Sequence, residues 1–102
     1  MLERELQIEI NNDLRNKGIK FYHCEAGRTF NRLSHRGGWP DLMIFKGDYN
    51  VFFVEIKVNN NVLSIEQKLF QKWAADMKYN CYEVRNILQW MAVKKMEGII
   101  GL

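Results

Sequence analysis

The chain has a single proline, Pro40, and two cysteines, Cys24 and Cys81, among 102 residues. Two cysteines make neither a disulfide framework nor a zinc site, so a reducing, cytoplasmic setting is expected. No apolar run approaches the roughly 20 residues that span a bilayer, which excludes a membrane helix from the expectation. No basic region followed by an apolar stretch opens the sequence, so a secretory signal is not expected. An excess of one charge is also small: 15 basic residues against 12 acidic give a net charge of +3, with an isoelectric point near 9.0. That total neither requires nor excludes nucleic acid. Apolar residues, by contrast, are plentiful, at 47% against 26% charged. This is ordinary globular composition and excludes disorder as the main state. The length suits one domain with one modest core, without repeat or linker.

Leu2, Leu6, Ile10 and Leu14 recur every four residues, which predicts one helix, with Gly18 placed to end it. Ile19 to Cys24 reads as a strand, and residues 27 to 38 as a polar loop with glycines. Asp41–Phe45 and Val51–Lys57 are β-prone runs separated by a turn-rich segment, an antiparallel hairpin. Ser64 and Gln67 occupy the N-cap and N3 positions of a capping box. The helix behind them carries Ile65, Leu69, Phe70, Trp73, Ala74 and Met77, with Trp73 expected in its core stripe. A short strand over Cys81–Val84 and a last helix through Ile87, Leu88, Met91 and Val93, ending near Gly98, complete the order α-β-β-β-α-β-α. The expectation is an α/β sandwich with a mixed sheet flanked by helices.

The residues that point to chemistry sit at one end of the hairpin. Asp41 opens one strand while Glu55 and Lys57 close the next, so the antiparallel pairing sets Asp41 beside Glu55 or Lys57. Glu55 and Lys57, two apart, share a face of the sheet. Two adjacent carboxylates repel unless a cation lies between them. Hard oxygen ligands suit Mg²⁺ or Mn²⁺. A lysine beside such an ion can orient or deprotonate a water, and attack of water on a phosphodiester is the natural reaction. Glu-x-Lys on an exposed strand is otherwise a common surface ion pair. Here it ends the apolar run Val51-Phe52-Phe53-Val54, where charged groups need a reason to be.

Three segments carry a family resemblance: Gly38-Trp39-Pro40-Asp41, Phe53-Val54-Glu55-Ile56-Lys57 and Leu63-Ser64-Ile65-Glu66-Gln67. In that order and spacing the chain resembles the PD-(D/E)XK nuclease superfamily. It is more closely similar to its VRR-NUC branch, in the small stand-alone form of phages and bacteria. The resemblance runs from Glu3 to about Val93 and implies that residues 1–102 form one such domain, a restriction-endonuclease-like sandwich. It implies that Asp41, Glu55 and the Ile56 carbonyl ligate the metal. Lys57 would act on the attacking water, and Gln67 would lie near Lys57 and the phosphate. A first-helix glutamate would stand near the metal, with Glu3 chosen over Glu5 and Glu9 because it shares a face with Leu6, Ile10 and Leu14.

The basic segment before Asp41 fits a phosphate-binding role. Arg28, Arg32 and Arg36 lie among glycines, and residues 26–40 contain no acid. Removing these three from fifteen basic residues leaves twelve, against twelve acidic, so the net charge is this local excess. Trp39, beside Asp41, is a candidate for stacking on a base. The function so implied is a Mg²⁺- or Mn²⁺-dependent endodeoxyribonuclease, selective for branched DNA in the manner of Holliday-junction resolvases. It would act as a homodimer in the cytoplasm of a bacterial or phage-infected cell. The alternative is a non-catalytic DNA-binding module with the same fold.

Overall fold

The spacing of three side chains forms the first element. In the computed structural model, which describes residues 2–24, 39–47 and 50–99, α1 (Glu3–Asn16) buries Leu6, Ile10 and Leu14 completely. Leu2 precedes the helix and is exposed, its N–H donating to the Glu5 carboxylate at 2.7 Å. Gly18 follows with φ of +69°, the left-handed conformation that glycine adopts without Cβ strain.

The sheet contains β1 (Lys20–His23), β2 (Leu42–Phe45), β3 (Val51–Ile56) and β4 (Asn80–Val84), in spatial order β1-β2-β3-β4. The first two pairings are antiparallel and β3–β4 is parallel, so the sheet is mixed. The parallel pair follows from α2 (Ile65–Asp76), which crosses between β3 and β4. From Phe52 to Ile56 every residue of β3 is buried, as expected of a central strand covered on both faces. On one face Leu42, Ile44, Phe52, Val54, Ile56 and Val84 join the buried side of α1, together with Trp90 and Val93 of α3 (Ile87–Met96). On the other face Phe53 meets Phe70 of α2 edge-to-face at 5.2 Å between centroids. The result is a single α/β domain with a mixed four-stranded sheet between helices.

Two helix faces depart from the sequence expectation. On α2 only Ala74 is fully buried, and Trp73 remains 46% exposed, so its core placement is corrected. The reason is that α2 carries two apolar arcs. Phe70 and Ala74 turn to the sheet, Ile65 and Leu69 turn away, and Trp73 sits at the boundary, packed on Phe70 and Tyr79 with the rest of its ring open. On α3 the core is Trp90 and Val93, while Leu88 and Met91 are exposed. Trp90 is drawn in by a polar anchor: its indole N–H donates to Asp13 Oδ2 at 2.8 Å. Lys94 Nζ donates to the same oxygen at 2.6 Å, and Lys17 holds the other.

Burial alone would raise the Asp13 carboxyl, but the hydrogen bonds from Lys17, Lys94 and Trp90 outweigh it and hold Asp13 at about 2. Its contribution is therefore full above its ordinary value of 3.8 and is lost as the pH falls toward 2. Asp13→Ala is expected to lower unfolding free energy at pH 7 by about 2 kcal/mol in urea melts, the scale of a hydrogen bond to a charged acceptor. The deficit relative to the natural chain should shrink below pH 3. Ile10→Ala, which empties a fully buried site, is expected to cost about 3 kcal/mol in the same measurement. At the other end of α3 the buried Glu97 accepts from Lys46 Nζ at 2.9 Å, Asn80 Nδ2 at 2.7 Å and the Tyr82 hydroxyl. Those bonds overcome the cost of burial and lower its carboxyl below the ordinary range.

Candidate active site

Strand register makes the first contact of the site. Leu42 pairs with Val54, and one further step sets Asp41 opposite Glu55 on the face that α2 covers. Pro40, fully buried, fixes the chain just before this point. Asp41 is held there by β3, because the Ile56 N–H donates to Asp41 Oδ2 at 2.7 Å. The two carboxyl groups come within hydrogen-bonding reach of each other. Glu55 is only 5% exposed, and burial together with the charge of Asp41 pushes its carboxyl up to about 9.

Lys57 projects from the same face two residues on, and its charge opposes that rise. Its ammonium makes no hydrogen bond or ion pair with the described residues. Gln67 is fixed at both ends of its amide. Its Oε1 accepts from the Ser64 N–H at 2.8 Å, and its Nε2 donates to Glu55 Oε2 at 3.0 Å. The Ser64 hydroxyl accepts the Gln67 N–H at 3.1 Å, so the capping box and the link to the site coexist. With its oxygen occupied by a backbone donor, the Gln67 amide can present only its NH₂ to Glu55. The bond made is thus to Glu55.

Among the first-helix acids, Glu3 alone acts on Glu55 through space. Glu5 is occupied by the Leu2 N–H, and Glu9 is exposed. Glu3 does not complete a three-carboxylate cluster: among the described residues no group of three or more His, Cys, Asp or Glu side chains converges to hold a metal. The reason is its position, in the first turn of a helix that packs on the opposite face of the sheet. Trp39 lies tilted on Phe70 at 5.0 Å and is 40% exposed, so packing uses one side of its ring and leaves the other open. Arg28, Arg32 and Arg36 fall outside the described residues.

Two groups near the pair were not singled out by the sequence reading. Cys24 pairs its backbone N–H with the Asp41 carbonyl at 2.9 Å. Burial and the charges of Asp41 and Glu55 push its thiol up to about 11. Burial, then Glu55, pushes Cys81 up to about 12. Both remain protonated at neutral pH and are poor nucleophiles. Only the register of β1 against β2 could have placed Cys24 here.

No protein-family model matches the chain, and neither a curated protein nor a solved structure matches it.

Proposed function

We propose that the chain is a divalent-metal-dependent endodeoxyribonuclease of the restriction-endonuclease-like fold, acting on branched DNA as a homodimer. The observation that carries this reading is the Asp41–Glu55 pair. Two carboxylates are held face to face at the end of a buried strand, where the more buried one ionises only at high pH unless a cation offsets it. This donor set fits Mg²⁺ or Mn²⁺, which take few protein oxygens and keep several waters. Such an ion, when bound, offsets phosphate charge and makes water easier to deprotonate.

The chain's own groups divide the remaining work. Asp41, clamped by the Ile56 N–H, and Glu55, clamped by the Gln67 amide, form a preset pair of oxygens. The Ile56 carbonyl and Glu3 remain further candidates for the ion's surroundings. Lys57 Nζ would hold the attacking water in line with the phosphorus and stabilise the hydroxide character it develops. Water adds its oxygen to phosphorus and releases a proton to solvent, while the bond to the leaving deoxyribose oxygen breaks and that oxygen takes up a proton from solvent. Arg28, Arg32 and Arg36 supply phosphate contacts in this reading, and Trp39 a stacking surface, on the strength of their places before Asp41 in the sequence.

With Mg²⁺ or Mn²⁺ the purified chain is expected to nick or resolve four-way DNA junctions. Failure to cut branched, flapped or linear DNA with either ion contradicts the proposal, and junction binding without cutting would favour the non-catalytic alternative.

A further inference from the structure

The sheet face that holds the carboxylate pair continues past it onto β1 and β2. There Tyr22 pairs with Met43, and Lys20 with Phe45. Side chains alternate along each strand, so these four share the face of Asp41 and Glu55. They form two rows beyond the pair, about 7 Å apart along the strands: Tyr22 with Met43, then Lys20 with Phe45. On the other half of this face α2 packs on β4 and, through Phe70, on Phe53. The β1–β2 half is open: Tyr22 is 63% exposed, Phe45 39%, and Lys20 is exposed. A groove of about 750 Å³ follows this edge of the sheet, lined in part by Arg15, Lys20, Tyr22, Met43 and Phe45. A second groove of about 420 Å³ shares Lys20 and Phe45 and runs on to Lys46 and Gly47. Neither groove has a carboxylate in its lining. Lys46 is already paired with Glu97, so Arg15 and Lys20 supply the charge, Arg15 lying over the Phe21 ring at 5.5 Å.

We infer that this open face binds an unpaired DNA strand running on from the scissile phosphate. The choice of DNA rests on the nuclease reading. Exposed rings beside cations, with no acid among them, match a single strand: its backbone is neutralised and its bases stack on the rings. A paired base hides both of its faces in the duplex stack, so these rings gain contact only with an unpaired one. Tyr22, one row from Asp41, takes the first base beyond the site, and Phe45, one row further, takes the next. Lys20 beside Phe45 and Arg15 at the margin meet the phosphates. A peptide strand added to the β1 edge would bond the backbone and leave both cations unused, so the charge selects the polyanion. The branch that suits the site then carries an unpaired arm next to the cleaved bond.

Anisotropy of a short labelled oligothymidylate, titrated with the full chain in chelator, reads this binding without cleavage. Tyr22→Ala should weaken it by about fivefold or more, and Tyr22→Trp should retain it. Lys20→Gln should reduce the slope of log affinity against log salt by about 0.7. Both positions are exposed, so all three variants should melt close to the unmodified chain by circular dichroism. With Mn²⁺, the ratio of cleavage rates on an unpaired-arm branch and on a fully paired junction should fall in Tyr22→Ala. No binding of oligothymidylate by the unmodified chain, or an unchanged affinity in Tyr22→Ala, overturns the inference even where junctions are cut. Equal losses in Tyr22→Ala and Tyr22→Trp overturn stacking. An unchanged salt slope in Lys20→Gln overturns the phosphate contact, and this variant carries the test if Tyr22→Ala melts low. Binding with the expected losses but no cleavage of any DNA upholds this face and removes the nuclease reading alone.

Discussion

Replacing Lys57 by alanine is expected to slow DNA cleavage by between about a hundredfold and ten thousandfold, while junction binding changes little. The expectation rests on position. Lys57 shares a face with Glu55, its charge acts on that carboxylate, and its ammonium bonds to none of the described residues. A side chain that is neither buried nor tied down costs little stability when truncated, so Lys57→Ala should melt close to the natural chain. Single-turnover cleavage beside a gel-shift titration separates the two effects. Equal cleavage by Lys57→Ala removes Lys57 from the chemistry; lost binding instead makes it a phosphate contact.

The second large effect concerns Glu55→Gln, and its sign changes with metal. In chelator, the folded chain keeps the Glu55 proton up to about pH 9, whereas the unfolded chain releases it near 4.5. Stability from this group is therefore full below pH 4.5 and is lost as the pH rises toward 9. Glutamine mimics the protonated form and can still accept from Gln67. Glu55→Gln should accordingly melt higher than the natural chain at pH 8 in chelator, and its melting temperature should vary less between pH 5 and 9. Adding Mn²⁺ should reverse the order. An ion at a hundred times its dissociation constant stabilises the natural chain by about 2.7 kcal/mol, or about 10 °C or more for a domain of this size. Glu55→Gln should show little of that gain. A thermal series at fixed ionic strength reads all three quantities, and identical metal responses in the two proteins would remove Glu55 from the ion's surroundings.

Much of this arrangement is written in local patterns. Gly18 ends α1 because only its φ of +69° is needed there, and Ser64 with Gln67 starts α2 through a reciprocal cap. Asp41 and Glu55 meet because Asp41 immediately precedes β2 and Glu55 lies near the end of β3, in an antiparallel pair that sets Leu42 against Val54. What local pattern could not supply was the choice between equivalent faces. α2 has two apolar arcs, and periodicity alone does not say that Phe70 and Ala74, rather than Ile65 and Leu69, meet the sheet. Trp90 became a core residue because Asp13, 77 positions earlier, accepts its indole N–H. Glu97 is buried because Lys46, Asn80 and Tyr82 converge on it from β4 and the end of β2. Such long-range polar anchors leave no periodic trace. The meeting of Asp41 and Glu55 was legible from hairpin geometry, whereas the Gln67–Glu55 bond was not, since spacing places Gln67 only in a cap.

The claim on which the account depends is that Asp41 and Glu55 together hold a divalent ion. A crystal of the full chain grown with Mn²⁺, with diffraction recorded at the manganese edge, tests it most directly. The account predicts one anomalous peak between the two carboxylates, bonded to an oxygen of each, with the Gln67 amide still on Glu55. Carboxylates in contact with each other and no anomalous peak beside them, at a Mn²⁺ concentration that supports cleavage, would contradict it.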